Sequence, residues 1–440
     1  MSASNSIALL LNIQDKNIII DPNSVSTVLI HGVSAYAIEA KLSYHPDCCP
    51  HCGCIYDAHT IHKHGSKRSC IKLPEVSKRP AYLYLYKQRY LCHHCKHTFF
   101  NTTPLVSRNC FISSNTKYAI AKEAKQKISE VDIASRNNVS HMTINRIINS
   151  YYNYYKIKRS FLPQHLCFDE FKSVKSSDAS MSFLFMDDIT HKLIDIVEDR
   201  RLHKLLEYFR LYPYKVRAKV KTITIDMYSP YISLIRQMFP NASIITDKFH
   251  VVQLLSRSLN KTRIKVMNEN KQHYRKLKRY WKLLLKSYSD LNDTEFKKYR
   301  CFKHLMRECD IVNELIDLDT TLKITYDVYQ DLLTAIKNRS YKQFSDVLCQ
   351  DYPQLSSYMK ISLTTLKAYA PFIQNTFQYP YTNGGLEGKN NLIKVIKRIA
   401  FGYRSFYHFK IRIMIISNDL SSKKKIDKRK TGEIIFSPAA

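Results

Sequence analysis

Hydrophobic and polar residues change period several times along the 440-residue chain, and each change predicts a new element. Short apolar runs such as NIIID and VSTVLIHGV give residues 1–42 the character of strands. Over 81–90 the stretch AYLYLYKQRY alternates, so Leu83 and Leu85 share one face of a strand while Tyr82, Tyr84 and Tyr86 share the other. From 113 to 151 the spacing turns helical. Ser129 is placed to cap a short helix with Val131, Ile133 and Ala134 inward, and Asn137 and Asn138 suit a turn. Ser140 then caps a second helix whose apolar stripe is Ile144, Ile147 and Ile148. Between 165 and 250 apolar strands alternate with helices, the pattern of an α/β layer, and 251–375 reads as almost wholly helical. A Gly-containing turn at 382–385 precedes one more helix. Its buried stripe is expected to be Leu392, Val395, Ile396 and Ile399, with Glu387, Asn391, Lys394 and Arg398 on another face. The expected fold is multidomain, α/β plus α, because a chain of this length exceeds one core.

Charge narrows the partners. Lys and Arg number 69 against 37 Asp and Glu, a net +32, an imbalance that fits a polyanionic partner, nucleic acid before membrane. The opening MSASNSIALLLNI lacks a basic lead-in, and no apolar stretch approaches 18 residues, so neither signal peptide nor membrane span is expected and the location expected is the cytoplasm. The end, SSKKKIDKRKTGEIIFSPAA, reads as a basic, disordered tail.

Twelve cysteines in so long a chain do not suggest a disulfide framework, and four of them form C-x-x-C pairs: Cys49 with Cys52, and Cys92 with Cys95. Two such knuckles complete the four-sulfur shell preferred by one structural Zn²⁺; Cys48, Cys54, His51, His93 and His94 remain alternative ligands. The paired short helices read as a helix-turn-helix. Its second helix directs His141, Thr143, Asn145 and Arg146 outward, where they could contact DNA bases.

Three carboxylates carry the candidate chemistry. Asp169 interrupts the apolar strand HLCFDEFKS, Asp226 ends VKTITID at the edge where α/β sheets gather ligands, and Glu387 opens the last helix above the cations Lys394 and Arg398. Converging, they can hold two Mg²⁺ ions about 4 Å apart for in-line phosphoryl displacement. Glu170 points away from Asp169 in a strand, and Asp187 and Asp188 fall at a hairpin tip in MDDITHK. Asp247 and His250 at another strand end either flank the metal site or form a structural pair.

With these residues the chain resembles the ISL-three family of bacterial insertion-sequence transposases over nearly all of its length. The likeness rests on the two C-x-x-C pairs, the helix-turn-helix, FDEF, TIDMYSPY, DKFHV and NGGLEGKNNLIKVIKRIAFGYRSF. The second knuckle carries Lys96 and His97 where such turns often have Gly. The resemblance implies a lead-in at 1–42, a zinc ribbon at 43–110, a helix-turn-helix at 113–151 and a basic tail at 421–440. An RNase H-like DDE core would occupy 160–250 and 376–420, split by a helical insertion at 251–375. It implies that Asp169, Asp226 and Glu387 are catalytic and that Asp247 and His250 are accessory. Lys394 and Arg398 join the candidate DNA contacts. The implied partners are the element's terminal inverted repeats and target DNA, met in the nucleoid, with a homodimer or larger assembly as the default. The competing reading is a domesticated, inactive relative that acts as a DNA-binding regulator. The basic, aromatic run KTRIKVMNENKQHYRKLKRYWKLLLKS, with Trp281, reads either as a helix that follows a phosphate backbone and stacks on a base or, equally, as a solvated basic face over a Leu and Tyr core.

Overall fold

A computed structural model describes residues 3–30, 32–152 and 158–426. These form two compact units: 3–152 with 393–422, and 158–392. The stretch 153–157 and the tail residues 427–440 lie outside the described residues, while 421–426 continue the final helix.

The first unit opens with helix α1 (Ala3–Leu10) and strands β1 (Ile18–Ile20), β2 (Ser26–Ile30), β3 (Val33–Leu42), β4 (Ile61–Val76), β5 (Arg79–Cys92) and β6 (Thr98–Phe100). The sheet runs β1-β3-β5-β4, with β2 added to β3 and β6 to β5. Ile18, Ile20, Ile38 and Leu42 enter one core with Ile71, Leu73, Leu83 and Leu85. The expected boundary at 42/43 therefore does not separate two domains: β3 pairs in parallel with β5, and both sides of the boundary bury their apolar residues in the same core. Tyr82 and Tyr84 face the other way, each under a cation, with Lys72 Nζ 4.5 Å and the Arg68 guanidinium 3.9 Å from the ring centres.

Helices α2 (Ser114–Glu123), α3 (Glu130–Arg136) and α4 (His141–Tyr152) follow. The Ser129 hydroxyl accepts from the Asp132 N–H at 3.0 Å, Asn138 takes φ 48° in the turn, and Ser140 accepts from the Thr143 N–H at 3.3 Å. Ile133, Ala134, Ile144, Ile147 and Ile148 are buried, whereas Val131, expected inward, is 65% exposed, because two residues before Ile133 is the opposite side of a helix.

The second unit holds β7 (His165–Lys172), β8 (Met181–Asp187), β9 (Leu193–Val197), α5 (Leu202–Arg210), α6 (Tyr214–Arg217), β10 (Thr222–Ile225), α7 (Ser229–Met238) and β11 (Ser243–Thr246). The sheet order is β11-β10-β7-β8-β9, an antiparallel meander extended by two strands parallel to β7. Phe168, Phe183, Phe185, Phe209, Tyr231 and Phe239 fill its core. A helical layer follows: α8 (Lys248–Glu269), α9 (Tyr274–Arg279), α10 (Trp281–Leu284), α11 (Glu308–Ile316), α12 (Thr320–Lys337), α13 (Tyr341–Cys349) and α14 (Ser357–Ala368), packed through Leu259, Leu315, Leu332, Phe344 and Leu363. The basic run around Trp281 is therefore not one helix, since Asn270 (φ −107°, ψ 78°) ends α8.

Helix α15 (Ala370–Gln378), expected to belong largely to the insertion, instead covers the open edge of β11. Asn375 Nδ2 donates to the Ile244 carbonyl at 2.7 Å and Thr376 Oγ1 to that of Thr246 at 2.6 Å. Then come α16 (Gly384–Ile399) and α17 (Phe406–Ile426), and residues 393–420, expected in the catalytic core, group instead with the first unit, which runs on to 422. On α16 the buried residues include Leu386, Leu392, Ile393 and Ile396; Val395, expected inside, is 39% exposed.

Arg412 of α17 is 1% exposed. It donates to the carbonyls of Ala124 and Ile128 beyond α2, and its Nε lies 3.8 Å from Glu130 Oε1. Arg412→Ala would strand Glu130 and two carbonyls without their cation. Unfolding in urea is expected to show a loss of roughly 3–5 kcal/mol; a loss under about 1 kcal/mol would mean that the pair contributes little.

Candidate cysteine and carboxylate sites

The two Cys pairs fold into near-equivalent turns. In the first, the Gly53 N–H donates to the Cys49 carbonyl at 2.9 Å and the Cys49 N–H to that of Cys54 at 2.8 Å. In the second, Lys96 donates to Cys92 at 2.9 Å and Cys92 to His97 at 3.0 Å. Gly53 has φ 72° and Lys96, its counterpart, φ 62°, so a side-chain-bearing residue occupies the left-handed position where Gly is usual. The four sulfurs lie within 4.8 Å of one another, Cys49 3.6 Å from Cys95 and Cys52 3.7 Å from Cys92. A tetrahedron with metal–sulfur bonds of about 2.3 Å has edges of about 3.8 Å, so the donor set fits Zn²⁺. Backbone N–H groups, that of Cys95 foremost, pull the Cys92 thiol down to about 6. At Cys52 and Cys95 similar backbone bonds are outweighed by burial and the neighbouring sulfurs, which raise both, so without a cation the cluster favours a thiolate at Cys92 and thiols at those two. Of the alternative ligands, His51 stacks on His97 and His93 packs edge-on to His62; none of the twelve cysteines, all among the described residues, is in a disulfide.

On α4 only part of the expected outward face is outward. His141 and Arg146 are exposed, but Thr143 and Asn145 are 8% and 7% exposed. Asn145 Nδ2 donates to Glu130 Oε2 at 2.8 Å, and Thr143 Oγ1 accepts from Arg146 at 3.2 Å. Both flank Ile144 and are buried beside it; Asn145 ties α4 to Glu130 of α3, whereas Thr143 bonds locally at the start of α4, to Ser140 and Arg146.

Register explains the carboxylates. Strand β10 sets Thr224 opposite Cys167 of β7 and Ile225 opposite Thr246 of β11. Carried forward, this register brings Asp226 level with Asp169 on one side and Asp247 on the other, a row across the carboxyl edge of the sheet. Asp169 is pushed up to about 7, first by burial and then by the charge of Asp226. His250, in the first turn of α8, places Nε2 2.7 Å from Asp226 Oδ1 and 3.9 Å from Asp247 Oδ2. Burial disfavours its charge, but the bond to Asp226 outweighs this and its pKa is raised. Asp247 is 3% exposed, its carboxyl also raised by burial.

Helix α16 arrives on this row. Asn383 Nδ2 donates to Asp226 Oδ1 at 3.2 Å, and Asn390 Nδ2 to Asp169 Oδ2 at 2.7 Å. Positions 383, 387 and 390 share one helix face, so Glu387 stands between the two amides. Its side chain is exposed. Among the described residues, the non-cysteine group whose ligand atoms all lie within 4.8 Å is Asp226, Asp247 and His250; neither Asp169 nor Glu387 belongs to it. A Cβ at Gly385 would lie 2.5 Å from His191 Nδ1 and Met186 Cε, so glycine permits this close approach. Lys394 and Arg398 are exposed further along α16.

The rival acids have other work. Glu170 pairs with Arg200 and accepts from Tyr231 Oη at 3.3 Å. Asp187 accepts from Ile189 N and Thr190 Oγ1 in the turn, while Asp188, expected at the same tip, is buried and accepts from Thr224 Oγ1 at 3.2 Å. Sequence reasoning missed Asn383 and Asn390, choosing Asn391, which is exposed. The signal was their i, i+4, i+7 spacing with Glu387.

The chain is thus a zinc-ribbon protein with an acidic α/β site. Against known proteins, residues 166–413 match the ISL3-type DDE family model described as Transposase, and 45–95 match one described as zinc-finger of transposase IS204/IS1001/IS1096/IS1165. The first match covers more than half of the chain, which belongs to the ISL3 family of insertion-sequence transposases. The "ATP-dependent protease" of Lactococcus lactis subsp. lactis is 44% identical over 110 residues, 25% of this chain and 35% of that one. The "Transposase for insertion sequence element IS1001" of Bordetella parapertussis is 26% identical over 259 residues, 57% of this chain and 60% of that one. The chain therefore spans about a third of one relative and three fifths of the other. Among the described residues no helix is long and apolar enough to cross a membrane.

Proposed function

We propose that the chain is a metal-dependent DNA transposase that binds the terminal inverted repeats of its element, cleaves a strand there and joins the freed end to target DNA. The observation that carries this reading is the level row of Asp169, Asp226 and Asp247, met by the helix face of Glu387. The strand order, a meander continued by two parallel strands, supports an RNase H-like core formed by the sheet with the start of α16. Asp169, Asp226 and Glu387 would hold Mg²⁺, the raised Asp169 marking a site where added positive charge is favoured. Bound there, the ions would supply charge neutralisation at the attacked phosphate and lower the pKa of the attacking oxygen. Water attack releases a 3′-hydroxyl, and attack by that hydroxyl on a target phosphodiester forms the new bond and expels a target 3′-oxygen. Both displacements use one geometry, so one site serves both. His250 bonds to Asp226 and orients it, the accessory role proposed for His250 and Asp247.

The ribbon and the three-helix segment 114–152 would form the end-binding modules, with His141 and Arg146 as base or phosphate contacts and Lys394 and Arg398 as further DNA contacts. A dimer follows from the need to hold two ends together, and nucleoid DNA is its proposed surrounding. The protease name belongs to a relative matched over 35% of its length, whereas the transposase family match spans the carboxylate row. The test is strand transfer: labelled end DNA, incubated with protein, Mg²⁺ and plasmid, should become covalently joined to the plasmid. Cleavage without joining would indicate a nuclease, and binding with neither a regulator.

A further inference from the structure

The side chains of Asn383 and Asn390 carry a feature that the carboxylates do not explain. Asn383 is 4% exposed; its Nδ2 donates to Asp226 Oδ1 and, at 3.4 Å, to the Phe168 carbonyl, while its backbone N–H donates to Asp247 Oδ1 at 3.3 Å. Asn390 Nδ2 donates to Asp169 Oδ2 and, at 3.3 Å, to the Glu170 carbonyl. Each amide nitrogen thus faces a backbone carbonyl that can only accept, which fixes the amide orientation and leaves the adjacent oxygen outside these contacts. Both oxygens, Asn383 Oδ1 and Asn390 Oδ1, are buried and have no hydrogen-bond partner among the described residues. A buried acceptor without a donor is costly, and these two lie seven residues apart, one just before α16 and one within it, on either side of Glu387 and each on an amide that holds a sheet aspartate.

We propose that Asn383 and Asn390 are positioning residues of the cation site, each holding one sheet aspartate through its N–H groups and offering its free oxygen to the cation or to a water bound on it. This rests on reading the carboxylates as a divalent-cation centre. Amide oxygens are hard, neutral donors suited to Mg²⁺ or Mn²⁺, and they add ligands without adding to the repulsion among the carboxylates. The arrangement also couples the helix to the sheet: the amides that flank Glu387 are the groups that bind Asp226 and Asp169.

Mn²⁺ binding to the full chain, followed by electron paramagnetic resonance and calorimetry, tests this without DNA. Wild type should bind Mn²⁺ and Asp226→Asn should not; a wild type that binds none would sink the cation-centre reading itself. With that established, Asn383→Ala and Asn390→Ala should each weaken Mn²⁺ by about tenfold or more, as outer partners of metal ligands do. Unchanged affinity in both overturns the proposal, and a lower melting temperature with unchanged affinity overturns it equally by assigning a structural role. Should the Ala variants not fold, Asn383→Asp decides. It keeps an oxygen and sets a charge beside Asp226, so Mn²⁺ should raise its melting temperature more than that of wild type; an equal or smaller rise refutes the idea.

Discussion

Asp226→Asn should leave a folded protein that still binds DNA carrying the element's ends but cleaves it at least about a thousandfold more slowly, roughly 4 kcal/mol of lost transition-state stabilisation. The position is central: Asp226 lies level with Asp169 and Asp247, bonds to His250 and Asn383, and ends a strand whose four residues are all buried. Asp169→Asn should abolish cleavage similarly and add a signature that a general folding defect would not give. Burial and the neighbouring charge hold the Asp169 carboxyl at about 7 in the cation-free protein, against 3.8 for an ordinary one. A carboxyl raised in this way supports the fold when protonated. Its contribution is complete below about pH 4 and is lost as pH rises through about 7. Cation-free wild type should therefore lose melting temperature between pH 5 and 8, and Asp169→Asn should flatten that decline and melt a few degrees higher at pH 8. Identical pH slopes in the two proteins would refute the environment described for Asp169, and wild-type cleavage in either variant would remove the site.

The second large effect concerns the ribbon. Cys49→Ser together with Cys92→Ser should abolish the single bound zinc measured by atomic absorption. It should also expose the knuckles to limited proteolysis, since binding to structural sites of this type is worth about 10–16 kcal/mol in isolated zinc fingers. Cys49 and Cys92 are both buried, and the small cluster around them, Ile61, Tyr90 and Phe99, is too small to hold the turns alone. End-DNA binding should fall with the zinc. Unchanged zinc content would mean other ligands, with Cys54 and the nearby histidines the first to examine.

Much of this was legible locally. The alternation of Leu83 and Leu85 with the tyrosines, the Ser129 and Ser140 caps and the Ile144, Ile147 and Ile148 stripe are properties of adjacent residues, and the structure forms them as read. Errors arose where a local rule met a non-local neighbour. Asn145 is polar and was expected outside, but Glu130 of α3 gives it a partner inside, and Thr143 is buried beside it. Residues 370–378 are helical and were placed mostly with other helices, but the bare carbonyls of β11 claimed them.

By itself the sequence determined the spacing of the two C-x-x-C knuckles, the amphipathic periods of strands and helices, and the placing of Asp226 just past a strand, since each depends on a few bonded neighbours and on side-chain chemistry. Only the tertiary structure decided that Asp169, Asp226 and Asp247 share one register level, that Asn383 and Asn390 grip two of them, and that four particular sulfurs meet. Those outcomes depend on strand pairing and helix docking between residues up to more than two hundred positions apart, where contact geometry rather than local periodicity selects the partner.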